Sequence, residues 1–162
     1  MKSLPKELQS GVSNVRNVGR YVFRVGGIES LEGILKSRPG FSTDPVIFLI
    51  DEFFQDQTTL FPNLPVRAND SVRFVPTREE PTTEYINALY GEVVQEVVGV
   101  QGSPCAIVGI GGGITLDTAK AVSNLLGNGG RAEDYQGWDL LKVPGTFKVG
   151  IPTISGTGAE AT

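Results

Sequence analysis

The stretch VGIGGGITLDTAK, Val108 to Lys120, places four glycines within five positions at the end of an apolar run and then changes to a helix-like pattern. A strand that runs into glycines and then a helix brings backbone N–H groups and the positive end of a helix dipole to the carboxyl edge of a sheet, which suits a phosphate. Gly111, Gly112 and Gly113 have no Cβ to hold a phosphate away from the backbone. Thr115 is expected to cap the helix, and Asp117 in its first turn is favourable there by charge. The same glycines would also serve a tight strand–helix turn that holds no ligand.

Outward from this turn, helices and strands alternate. Val46-Ile47-Phe48-Leu49-Ile50 is a continuous apolar run closed by Asp51, the pattern of a strand covered on both faces, and so of a parallel sheet. Tyr21–Val25, Ser71–Val75, Cys105–Gly109 and Phe147–Ile151 read as further strands. The spacing of Ile28, Leu31, Ile34 and Leu35 predicts a helix that Arg38-Pro39-Gly40 stops, and a short helix fits Asp51–Leu60. After Glu80, Pro81 suits the first helical position, and Ile86, Leu89, Tyr90, Val93, Val94, Val97 and Val98 recur on one helical face up to a turn at Gly99–Pro104. Thr115–Leu126 is a helix lined by Ala119, Val122, Leu125 and Leu126, followed by a loop from Gly127 to Gly145. The expected fold is α/β, a Rossmann-like doubly wound, mostly parallel sheet over residues 20–162, with residues 1–19 as a tail or edge extension.

Composition narrows the function. The chain has 162 residues, 14 basic and 18 acidic, a net charge of -4 and no basic block, which argues against nucleic acid and anionic membranes as partners. No apolar run approaches a membrane span, and the first twenty residues lack the apolar centre of a signal peptide, so a cytoplasmic protein is expected. The one cysteine, Cys105, has no internal partner and is expected to be buried. With no histidine, the chain itself has no imidazole for acid–base catalysis, nucleophile activation or metal ligation.

The usual dinucleotide fingerprint G-x-G-x-x-G does not fit, since Leu116 stands where the third glycine is required. The strand-end acid, Asp51, lies upstream of the glycines rather than downstream, so the parts of a dinucleotide site would arrive in the opposite chain order from the standard unit. No G-K-[ST] follows the glycines, which excludes a P-loop. Pro152-Thr153-Ile154-Ser155-Gly156-Thr157-Gly158-Ala159-Glu160 follows the last strand and offers hydroxyl and backbone donors beside the glycine turn, or else an ordinary polar connection into the next helix.

At these residues the sequence resembles the metal-dependent (group III, iron-containing) alcohol dehydrogenases, within the dehydroquinate synthase-like superfamily. The family pattern GGGSxxDxAK appears as Gly111 to Lys120 and its PTTAGTGSE as Pro152 to Glu160. Lys120 and the Gly156-Thr157-Gly158 loop resemble the alcohol dehydrogenase branch rather than the dehydroquinate synthases. Within that branch, PTISGTGAE and the loop Glu133–Gly145 look most like the 3-deoxy-octulosonate 8-oxidase subgroup, which oxidises the terminal hydroxyl of an eight-carbon sugar acid to an aldehyde.

The resemblance implies an oxidoreductase acting on a small alcohol or sugar acid, with NAD as hydride acceptor. It implies that Gly111, Gly112 and Gly113 cradle the pyrophosphate, that Thr153 and Thr157 line the cofactor groove and that Asp117 lies close to the cofactor or else pairs with Lys120. Asp51 would accept hydrogen bonds from ribose hydroxyls and repel a 2′-phosphate, favouring NAD over NADP, or else cap the next helix. Ile114 replaces the family serine, Ile154 the second threonine and Ala159 the second serine, so hydroxyl donors are lost. The family's Fe²⁺ or Zn²⁺ is held by one Asp and three His in a helical domain downstream of the second motif. The sequence is therefore expected to be a truncated, cofactor-binding half that is inactive alone, with a homodimer formed through a domain edge as the family's common assembly. Two other readings remain: a stand-alone nucleotide-binding module and a dehydroquinate-synthase-like lyase.

Overall fold

The computed structural model describes residues 18–57, 60–156 and 158–161. Its centre is a four-stranded sheet of β1 (Val46–Asp51), β2 (Ser71–Val75), β3 (Ala106–Gly111) and β4 (Lys148–Pro152) in the order β2-β1-β3-β4, with every pairing parallel. The apolar run of β1 makes it a central strand, since all six of its residues are buried. Alternate side chains serve opposite faces. Val46, Phe48 and Ile50 pack with Val108, Ile110 and with Leu31 and Leu35 of α1 (Leu31–Lys36). Ile47 and Leu49 pack with Leu89 and Val93 of α2 (Thr83–Val93) and with Ala119 and Val122 of α4 (Gly113–Asn128). Each such valine, leucine, isoleucine or phenylalanine contributes about 1.5–3 kcal/mol of burial, so the two-sided core and not helix propensity fixes the layering.

Several boundaries differ from the sequence reading. Tyr21–Val25 forms no strand: Gly27 N–H donates to the Arg24 carbonyl in a turn, and Tyr21, Phe23 and Val25 are exposed, with no strand beside them among the described residues. Most of the expected tail, residues 1–17, lies outside the described residues. A single 3-10 turn, Glu52–Phe54, replaces the short helix expected after Asp51. Pro81 precedes the cap of α2 instead of opening the helix, because the Thr82 hydroxyl accepts from the Tyr85 N–H at 3.2 Å. The periodic segment continues through a π-helical turn, Val94–Val98, into α3 (Gly99–Gln101), so the expected turn begins only at Gly102, whose φ of 90° suits glycine. No helix among the described residues is long and apolar enough to cross a membrane.

Candidate functional site

The chain leaves β1 toward β2 on one side and β3 toward β4 on the other, so strand order reverses between these two central strands. In open parallel sheets a crevice opens outside the strands' carboxyl ends at such a point, and ligands bind there. Asp51 ends β1 and Gly111 ends β3, one step beyond the paired Ile50 and Ile110. A Cβ on Gly111 would lie 2.6 Å from Thr115 Oγ1, 2.7 Å from Thr115 Cβ and 2.9 Å from Asp51 Cβ. Glycine is therefore required at this position for the strand end and the helix to close together. Gly111 belongs to β3 rather than to a turn; Gly112 alone links the strand to the helix, and Gly113 is the first residue of α4.

This direct entry changes what the neighbouring residues do. Gly112 is the N-cap and supplies no side-chain acceptor, so Thr115 does not cap the helix as expected. Thr115 lies within the first turn, fully buried, and its hydroxyl has no hydrogen-bond partner among the described residues. Ile114 is partly buried and packs against the core that β1, α2 and α4 share, as Tyr85 and Leu126 also do. Its side chain thus replaces the family serine with core contact, and the first-turn backbone amides are the donors the crevice keeps.

The second motif meets the first through the backbone. Thr153 N–H donates to the Gly111 carbonyl at 3.0 Å, directly after Pro152, which pairs in register with Gly111. Thr153 is exposed at the sheet edge, and Ile154 Cδ1 comes within 3.8 Å of where a Gly112 Cβ would stand. Thr157 lies outside the described residues. Asp117, further along α4, is exposed and forms an ion pair with Lys120 at 2.6 Å.

Asp51 is 8% exposed and is held from two sides. Its Oδ1 accepts from the Phe53 N–H at 3.0 Å, which caps the 3-10 turn, and from the Thr77 hydroxyl at 3.1 Å. The neighbouring Glu52 Oε1 accepts from the Thr77 N–H at 3.4 Å and lies 3.7 Å from Arg78 Nε. A shallow depression bounded by Phe53, Gln55, Thr77 and Arg78 opens beyond Asp51.

Asp51, Gly111, Gly112, Gly113 and Thr153 are brought together at one edge, whereas Asp117 follows one turn into α4, past the first turn where it was expected, and is paired with Lys120. Thr77 and Gly109 escaped the sequence reading. Thr77 is a polar residue just past a strand's carboxyl end, the same signal that singled out Asp51. Gly109 is a glycine inside a strand, the mark of close backbone approach. A Cβ there would meet Ala119 Cβ at 2.9 Å, so Gly109 sets the distance between α4 and β3.

The arrangement fits a dinucleotide pyrophosphate: the Cβ-free end of β3, the N-terminus of α4 without a side-chain cap, and the orphaned Thr115 hydroxyl converge beside a strand-end carboxylate. A metal is not accommodated in the same way, because no group of three His, Cys, Asp or Glu side chains that could hold one occurs among the described residues. Cys105 is partly buried and free, and burial raises its thiol pKa above the ordinary value.

Away from the crevice, Glu133 fastens the loop after α4 to α2. Asn87 Nδ2 donates to Glu133 Oε2 at 2.7 Å and Arg131 Nη2 to Oε1 at 2.8 Å, while Asn87 Oδ1 accepts the Ala132 N–H at 2.8 Å. The Asn87 bond foremost, with the Arg131 guanidinium, holds the Glu133 carboxyl down to about 2.

The family described as iron-containing alcohol dehydrogenase matches residues 19–162. The chain is 49% identical over 57 residues to the NAD-dependent methanol dehydrogenase of Bacillus methanolicus, an alignment covering 35% of this chain and 15% of that protein. It is 50% identical over 56 residues to the sulfoacetaldehyde reductase of Bilophila wadsworthia, covering 35% and 14%. The crystal structure of sulfoacetaldehyde reductase from Bifidobacterium kashiwanohense in complex with NAD+ superposes with a TM-score of 0.62 at 20% identity, over 83% of this chain and 34% of that one. That likeness is one of fold. The chain spans about a third of the solved structure, and its alignments cover about a seventh of the two curated relatives.

Proposed function

Because the chain belongs to the iron-containing alcohol dehydrogenase family, we propose that it binds NAD in the crevice between the ends of β1 and β3, as the cofactor-binding part of an enzyme that oxidises a primary alcohol to an aldehyde. The observation that carries this reading is the meeting of Asp51, Gly111 and the start of α4 where strand order reverses. Bound NAD supplies the hydride acceptor. The residues of this chain bind and orient it. The amides of the first turn of α4 donate to the pyrophosphate, and the glycines at 111, 112 and 113 let it approach. Asp51 accepts hydrogen bonds from the adenosine ribose hydroxyls, and its charge disfavours a 2′-phosphate, which selects NAD over NADP. Thr153 lines the groove, Thr157 is assigned to it by its place in the motif PTISGTGAE alone, and Asp117 lies close to the cofactor, its charge shared with Lys120.

For the substrate we propose the terminal hydroxyl of a 3-deoxy-octulosonate sugar acid, as in the Kdo 8-oxidases. The support is in the sequence: the loop Glu133–Gly145 and the replacements Ile154 and Ala159 in the second motif. The test is NADH formation by the full-length enzyme that carries this segment, with the sugar acid compared against short primary alcohols. NAD reduction by the sugar acid in preference to the short alcohols is the expected result. Reduction by short alcohols alone overturns the substrate, and failure with every alcohol overturns the dehydrogenase reading.

A further inference from the structure

We propose that Thr77 is a positioning residue for Asp51, and that it thereby sets the discrimination between NAD and NADP. The proposal rests on the reading that Asp51 faces the adenosine ribose. Thr77 lies just past the end of β2, yet its hydroxyl reaches across to β1 and donates to Asp51 Oδ1 at 3.1 Å. The same oxygen accepts the Phe53 N–H at 3.0 Å. These two donors arrive from different segments, one from the turn that follows Asp51 and one from the loop after the neighbouring strand.

The Phe53 bond alone cannot fix the carboxylate. The terminal torsion of an aspartate is broad and roughly two-fold, so either oxygen can serve a backbone amide. A second donor on the same oxygen, from outside the local turn, removes that freedom and leaves Oδ2 to meet a ligand. The loop that carries Thr77 is itself tied down, since Glu52 Oε1 accepts the Thr77 N–H at 3.4 Å and stands 3.7 Å from Arg78 Nε. Asp51 and Glu52 together therefore clasp the loop after β2, and Thr77 is the residue that returns the clasp to Asp51. A carboxylate held this way presents one orientation to the ribose, and it cannot swing aside to admit a 2′-phosphate.

The test compares wild type with T77V, which deletes the hydroxyl and keeps the branched shape, and T77S, which keeps the hydroxyl. T77A makes the same deletion with less bulk and is expected to behave as T77V does. NAD and NADP are titrated into each by calorimetry. The lost hydrogen bond lies within the protein, so only part of its worth is felt by the ligand, and NAD binding is expected to weaken by roughly 3- to 10-fold in T77V. NADP binding should hold or tighten, so the NAD-to-NADP ratio falls, and T77S should restore it. If wild type prefers NAD and T77V keeps both affinity and ratio, the role of Thr77 is overturned while the site stands. If T77V and T77S lose affinity for both dinucleotides alike, Thr77 is merely structural and the proposal fails. If wild type binds neither dinucleotide, the parent reading of the crevice fails, and this proposal with it.

Discussion

Asp51 and Gly111 stand side by side at the ends of β1 and β3, so close that a methyl on Gly111 would come within 2.9 Å of Asp51 Cβ and within 2.7 Å of Thr115 Cβ. Both neighbours are atoms fixed to the backbone, not the far ends of flexible side chains. Gly111→Ala must therefore separate the strand end from α4. We expect a loss of about 1–3 kcal/mol in denaturant unfolding, the cost of overpacking a close contact. An unchanged midpoint would show that this edge is looser than the distances state.

Gly109→Ala tests the same seam lower on the sheet. The new Cβ would lie 2.9 Å from Ala119 Cβ and 3.3 Å from Leu116 Cδ2. About 1–3 kcal/mol should again be lost. Because the main clash is with one methyl, the double variant Gly109→Ala with Ala119→Gly should recover part of that loss, less the helix cost of about 1 kcal/mol for an interior glycine. Additive losses in the unfolding series would contradict the contact.

How much of this was legible in the sequence follows from the range of the forces involved. The apolar run Val46–Ile50 with Asp51 at its end announced a doubly covered strand, because burial on both faces admits no polar alternation. The glycines announced a strand-to-helix junction, but not its length. Gly111 stays in β3 because Asp51 and Pro152 flank it across the sheet, a constraint no local pattern carries. For the same reason Thr115 read as a cap and lies inside the helix, buried against Gly111. Tyr21–Val25 had the composition of a strand and found no strand beside it among the described residues. Thr77 reaches Asp51 across the sheet, so only its place just past a strand end hinted at a role.

Asp70 anchors the amino-terminal side of the sheet. Its carboxylate accepts from the Val46 N–H at 2.8 Å, from the Arg67 N–H at 2.8 Å and from Arg67 Nη2 at 2.7 Å, while Arg67 also reaches the carbonyls of Phe41 and Asp44. The Asp70 side chain is fully buried, and its hydrogen bond raises the Arg67 pKa above the ordinary value. Asp70→Ala removes the carboxylate partner of the Arg67 guanidinium, which keeps its two carbonyls, and leaves the first amide of β1 without its acceptor. The expected cost is about 3 kcal/mol, toward the lower end for breaking a buried pair because Arg67 keeps some solvent contact. Equilibrium unfolding checks it, and a loss below about 1 kcal/mol would count against this anchor.

Glu133 gives a pH dependence of defined sign. Its folded carboxyl titrates near 2 against an ordinary 4.5, so the folded state binds the proton more weakly than the unfolded chain. The stability it contributes is fully present above the unfolded value and is lost as pH falls through about 2. Wild type should therefore melt above Glu133→Gln at neutral pH, and the gap should close between about pH 4.5 and 2. Thermal melts of the two proteins across that range measure it. A gap that stays constant with pH would show that the Asn87 and Arg131 contacts do not favour the charged form.

The place where a dinucleotide meets the backbone decides the role of this crevice, and amide chemical shifts report it residue by residue. On titrating NAD into the isotope-labelled chain, the largest shifts should fall on Gly112, Gly113 and Ile114 at the start of α4, with Asp51 and Thr77 moving in the same titration. Saturable shifts centred on a separate surface depression, around Ile28 and Asn63, or no saturable shift at any of these amides, would contradict it.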